Sequence, residues 1–162
     1  MDEINTSDKA NAFALELSMA DPAKDILSWI NKDALYRKGP EDRAFLCELK
    51  SLMDKYYDIS FKYIKEQIRL IENDYECLGF EDKTLVFFIH SREPNDIQRL
   101  KDELGAVSIL IDDHGARGIR PENASNEADK NIYNYDYDII IDNIQTLDHL
   151  RGQAYMFVEE NL

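Results

Sequence analysis

The chain has 162 residues, 44% of them hydrophobic, and a formal net charge of −14. That length and apolar content support one domain with a real core and exclude a disordered chain. The charge excludes general nucleic-acid binding, because most of the surface would repel a phosphate backbone, yet a small phosphate ligand can bind wherever cations converge.

No apolar run approaches the roughly 18 residues that a membrane span needs. The opening "MDEINTSDKAN" is too acidic and polar for a secretory signal, so the expectation is a cytoplasmic protein with no membrane partner. Cys47 and Cys77 are the only cysteines, and both fall in helical patterns. They are expected as a reduced intracellular pair.

Residues 1–11 read as a flexible tail and 12–162 as a single domain. In "AFALELSMA", Phe13, Leu15 and Leu17 alternate with Ala14, Glu16 and Ser18, the period of a strand near a sheet edge. "DPAKDILSWI" predicts a helix with Asp21 as N-cap and Pro22 at its first position. Ile26, Leu27 and Ile30 would face the core, with Trp29 beside them. After the break "RKGP", Phe45, Leu49, Leu52 and Tyr56 recur at helical spacing, and Phe61, Ile64, Ile68 and Ile71 repeat it. These two helices form an insert over 41–74 with Asp58 between them, ended by Gly79 and "EDK".

The unbroken apolar run "TLVFFI" predicts a strand covered on both faces. "EPNDIQRLKDEL" predicts a helix resting on Ile97, Leu100 and Leu104 and closed by Gly105. "AVSILI" is a second buried strand. The polar stretch 112–131 is long enough to be a lid-like binding loop. "YDIIID" is a third buried strand, and Thr146 opens a last helix with Leu147, Leu150, Ala154 and Phe157 inward. Strands alternating with helices predict an α/β fold, a three-layer sandwich with a mainly parallel sheet of about four strands.

In such a sheet the strand carboxyl ends share one side, and ligands bind there. Ser18, Asp21 and Lys24 follow the first strand, and His90, Ser91, Arg92 and Glu93 follow "TLVFFI". Arg117 and Arg120 lie in the 112–131 loop, and Asp142 and Asn143 follow "YDIIID". Guanidinium groups grip phosphate in a forked manner, so this rim suits a phosphate ligand. Plainer roles compete. Asp21 and Pro22 make a complete helix start without a ligand, and Ser91 or Glu93 before Pro94 can act as a cap. Arg92 can pair with one of many acidic neighbours, and Arg117 and Arg120 can be solvated. His90 can be a structural hydrogen-bonding group. "DDH" at 112–114 offers metal-ligand atoms, but nothing at recognisable spacing completes a site. Tyr133, Tyr135 or Tyr137 could stack a base or pack the mouth of the last strand.

"LELSMADPAKDIL", "FFIHSREPNDIQRLKDELGAVSILI" and "NASNEADKNIYNYDYDIIIDNIQTLDHL" together resemble P-loop nucleotide kinases, nearest the deoxynucleoside monophosphate kinase-like proteins of phages and mobile elements. The resemblance implies binding of a nucleoside monophosphate, with ATP as phosphoryl donor and magnesium beside it. It places "SMADPAK" at the monophosphate pocket and Arg92 near the phosphates. The 112–131 loop becomes a lid whose Arg117 and Arg120, with Arg92, neutralise the transferred group. Asp142 and Asn143 fall near the adenine end, and Asp21 or Glu93 would help hold the metal.

The chain departs from that family in one respect. None of its glycines, at 39, 79, 105, 115, 118 and 152, fits Gly-x-x-x-x-Gly-Lys-Ser/Thr, and residues 1–11 are too few for the strand, loop and helix that carry it. The strand normally lying between "TLVFFI" and "AVSILI" is then missing. Those two strands are expected to pair directly, or a second chain fills the gap, which is how a homo-oligomer enters as a partner. The alternative function is an interaction protein that keeps the kinase fold without its chemistry. A shortened form of a longer gene product would also account for the missing loop.

Overall fold

The computed structural model describes residues 12–33, 39–80, 83–112, 131–143 and 146–161. Within them the chain is α/β, with five helices and two short parallel sheets. It forms two compact units, one of Leu15–Ser91 and one of Arg92–Leu162 with the residues up to Ala14.

Strand β1 (Ala12–Ser18), whose Leu15–Ser18 part belongs to the first unit, pairs with β2 (Thr84–His90). Beside them lie helices α1 (Asp21–Ile30), α2 (Pro40–Tyr57) and α3 (Ile59–Cys77). All three helices pack pairwise. Leu17 and Met19 from the strand side, Ala23 and Leu27 from α1, and Phe61 and Ile64 from α3 make the buried core. The i, i+4 and i, i+3 spacings of these helical pairs set each pair on one face. Pro40 sits in the first turn of α2, and Asp42 Oδ2 accepts the Gly39 N–H at 3.3 Å, satisfying a donor just before the helix.

Asp58 joins α2 to α3 in the left-handed conformation, φ 55° and ψ 42°, unusual for a residue other than glycine. The junction is fixed by Asp54, whose carboxylate accepts the Ser60 N–H at 2.8 Å, the Ser60 hydroxyl at 2.9 Å and the Lys50 ammonium at 2.9 Å. Ser60 is buried, so its hydroxyl needs that partner.

In the second unit β3 (Ile109–Asp112) and β4 (Ile139–Asp142) run parallel, with Ile109 beside Ile139 and Asp112 beside Asp142. Helix α4 (Pro94–Leu104) buries Ile97 and Leu100 and ends at Gly105, φ 67°, as expected. Helix α5 (Leu147–Asn161) has no buried residue.

Several expectations change. β2 pairs with β1, and β3 with β4, so "TLVFFI" and "AVSILI" belong to different sheets. A single sheet of about four strands is therefore not what the described residues form, and the α/β class is the part that holds. The side chains of Leu85–Ile89 are half-buried, not covered on both faces. Strands β3 and β4 begin later than their apolar runs suggest, because Ser108 and Asp138 grip each other. Ser108 N–H donates to Asp138 Oδ2 at 2.9 Å, the Ser108 hydroxyl to the same oxygen at 2.8 Å, and Asp138 N–H to Ser108 Oγ at 3.1 Å. Finally, α1 starts at Asp21 with Ala20 as its N-cap. It buries Ala23 and Leu27 but leaves Ile26, Ile30 and Trp29 exposed, Trp29 by 92%.

Candidate functional site

β1 and β2 are parallel, so their carboxyl ends lie together, and the Met19 N–H donates to the His90 carbonyl at 3.2 Å across them. That bond brings the Ser18–Asp21 turn alongside His90 and Ser91. Within the turn one small network forms. Asp21 Oδ2 accepts the Ser18 N–H at 3.0 Å, Ser18 Oγ accepts the Ala20 N–H at 3.2 Å, and Lys24 Nζ reaches Ser18 Oγ at 3.3 Å and Asp21 Oδ1 at 2.7 Å. Ser18, Asp21 and Lys24 are thus brought together as the sequence predicts. Asp21 serves the turn before the helix without capping it, since no side-chain cap bond forms at this helix start.

The Lys24 ammonium has three N–H donors. Two are directed at Ser18 and Asp21, and the side chain remains 44% exposed, leaving the third for a ligand. The first turn of α1 adds the positive end of its dipole. Opposing this, the Asp21 carboxylate offsets the lysine charge.

Ser91 follows β2 directly at the same rim. Its Oγ is buried and has no hydrogen-bond partner. The capping role for Ser91 is thereby removed: Glu93 is the N-cap residue of α4 by position, and α4 has no side-chain cap bond either. A buried hydroxyl without a partner is rare enough in folded chains to need an explanation. His90 is not a buried structural group. Its Nε2 lies 2.7 Å from Glu16 Oε1 on β1, with both side chains more than half exposed.

Tyr63 on α3 is a site neighbour that sequence reasoning missed. Burial, together with the negative fields of Asp21 and Asp25, raises its phenol above the ordinary tyrosine range. Its helix read only as an insert, and no local pattern links it to Asp21.

Arg92 and Glu93 fall in the second unit, whereas Lys24 falls in the first. Arg117 and Arg120 lie outside the described residues, as do Asp113 and His114 of the "DDH" triplet. Asp142 and Asn143 stand where expected, at the carboxyl ends of β3 and β4. There Asn143 N–H donates to the Asp112 carbonyl at 2.7 Å, and the Tyr133 hydroxyl donates to Asp112 Oδ1 at 2.8 Å. Asp112 is buried and ends β3; it was expected to open the lid loop.

The other tyrosines gather at the opposite end of this sheet. Tyr135 donates to Gln98 Oε1 at 3.0 Å and meets Tyr137 edge to face at 5.2 Å, and Tyr137 donates to the Ile132 carbonyl at 2.9 Å. Lys101 of α4 joins the Ser108–Asp138 pair, its ammonium 2.6 Å from Asp138 Oδ1. The Lys101 hydrogen bond, then those from Ser108, hold the Asp138 carboxyl down at about 2.

Among the described residues no three His, Cys, Asp or Glu side chains are placed to hold a metal ion. Each Asp21 oxygen accepts one hydrogen bond, from the Ser18 N–H and from Lys24 Nζ. No described helix is long and apolar enough to cross a membrane. Comparison with known proteins returns no match to a family model, a curated protein or a solved structure.

Proposed function

We propose that this chain is a nucleotide-kinase-like protein that binds a nucleoside monophosphate, or a ligand of the same phosphate chemistry, at the carboxyl rim of β1 and β2. The observation that carries the proposal is the Ser91 hydroxyl, buried and unpartnered beside the turn that holds Lys24. A phosphate oxygen accepts from both groups: the hydroxyl gains its missing bond, and the ammonium uses its third donor. Because Asp21 offsets much of the lysine charge, the affinity is expected to be modest. The sequence pattern by itself adds Arg92, Arg117 and Arg120 as sources of positive charge and Glu93, Asp142 and Asn143 as ligand contacts.

Isothermal titration with nucleoside monophosphates and with inorganic phosphate tests this. Binding should be seen for the native protein and be lost in Lys24→Met. No heat from any phosphate ligand at millimolar concentration would end the proposal.

A second reading, a fold kept for protein contacts without phosphoryl transfer, is favoured by the Lys24–Asp21 pair, in which the carboxylate offsets the lysine charge. Formation of a nucleoside diphosphate from ATP and a monophosphate by the pure protein would exclude it.

A further inference from the structure

Helix α2 carries an apolar stripe that its own unit leaves mostly uncovered, Leu49 alone of its four members being half-buried. Phe45, Leu49, Leu52 and Tyr56 follow the alternating four- and three-residue spacing of a helix–helix seam. α2 has no buried residue, and Phe45, Leu52 and Tyr56 are 40%, 57% and 64% exposed. Leu46 and Met53, on one flank of the stripe, are half-buried where α2 meets its own unit. The other flank carries Glu48 and Lys55, two turns apart and both exposed.

This arrangement is self-complementary under one particular symmetry. Let a two-fold axis pass between two copies of α2, level with Lys50 and Ser51, so that the second α2 runs antiparallel to the first. Phe45 then meets the partner's Tyr56, and Leu49 the partner's Leu52. In an antiparallel two-fold pair like flanks face each other, so Glu48 lies across from the partner's Lys55, and Lys55 from the partner's Glu48. A parallel pair would instead set this charged flank against the apolar Leu46 and Met53 flank. Neither charge is used at home: among the described residues Glu48 and Lys55 form no ion pair, and Lys55 only overlies the Tyr56 ring at 5.3 Å.

We propose that the α2 stripe is an isologous contact surface and that its occupant is a second copy of this chain, docked antiparallel. An isologous contact requires one patch to complement itself, and the apolar and charged positions of α2 both do so about the same axis. For a chain of net charge −14, a patch whose charges cancel across the contact is also where two copies can approach with least repulsion.

Sedimentation of the full chain over micromolar to submillimolar concentrations tests the proposal, with circular dichroism confirming that each variant is folded. The native chain should pass from monomer to dimer. Either Lys55→Glu or Glu48→Lys alone places like charges across both symmetric contacts and should weaken the dimer about tenfold. The double exchange E48K/K55E restores opposite charges and should return the dimer close to native strength. Leu52→Glu should leave a folded monomer. A native chain that stays monomeric throughout would overturn the proposal. So would a dimer that tolerates both single exchanges, or one that the double exchange fails to rescue.

Discussion

Ser91→Ala should make the protein more stable and bind its ligand less well. The native Oγ is buried without a partner, and a buried hydroxyl in that state costs about 1–3 kcal/mol. Alanine removes that cost and gives up only the oxygen's packing contacts, so the free protein should gain about 1 kcal/mol. For a chain of this size the gain corresponds to a rise in Tm of about 2–4 °C. Unfolding in urea should be followed by far-ultraviolet ellipticity, because Trp29 is already 92% exposed and its emission will report little. The same substitution deletes one hydrogen bond to a bound phosphate, about 1 kcal/mol or fivefold in Kd. Opposite signs for stability and affinity are the signature. A variant that is less stable than native would mean the hydroxyl already has a partner. An unchanged Kd would mean that no ligand meets it.

Ile64→Ala should destabilise by about 3–4 kcal/mol in the same denaturation assay, since it deletes three carbons from a fully buried side chain; a loss under about 1 kcal/mol would mean the α3 face is not core. Asp54→Ala leaves the buried Ser60 hydroxyl and N–H without their acceptor and should cost about 2 kcal/mol, again read from urea unfolding. Asp138 has a folded pKa lowered from 3.8 to about 2, so its contribution is complete above the unfolded value and lost as pH falls through about 2. The urea midpoint of native protein should therefore approach that of Asp138→Asn between about pH 4 and 2. Parallel curves across that range would contradict the pairing with Lys101.

The features legible in the sequence were those set by local chemistry. Gly105 closes α4 because a left-handed residue is needed there, and "NDIQRLKDEL" presents Ile97 and Leu100 at a spacing that only a helix sets on one side. The turn holding Ser18, Asp21 and Lys24 was legible for the same reason, its members being at most six residues apart. Features set by distant partners were not. Ser108 and Asp138 are 30 residues apart, and nothing in "AVSILI" or "YDIIID" announces that each polar side chain will seize the other's backbone. Ile26, Trp29 and Ile30 look like core by hydrophobicity alone, yet only Ala23 and Leu27 of this helix are buried. Whether a helix face is covered depends on what arrives from elsewhere in the fold, and periodicity does not record that.

Asp58 ends one helix and starts the next, so the corner between α2 and α3 has no slack. Each residue of an α-helix turns it by about 100°, and a single insertion or deletion at this corner would rotate Phe61 and Ile64 out of the interior and swing charged neighbours into their place. Length at this joint should thus be far less forgiving than residue identity. Glycine or asparagine in place of Asp58 would be tolerated, whereas one residue more or fewer would not.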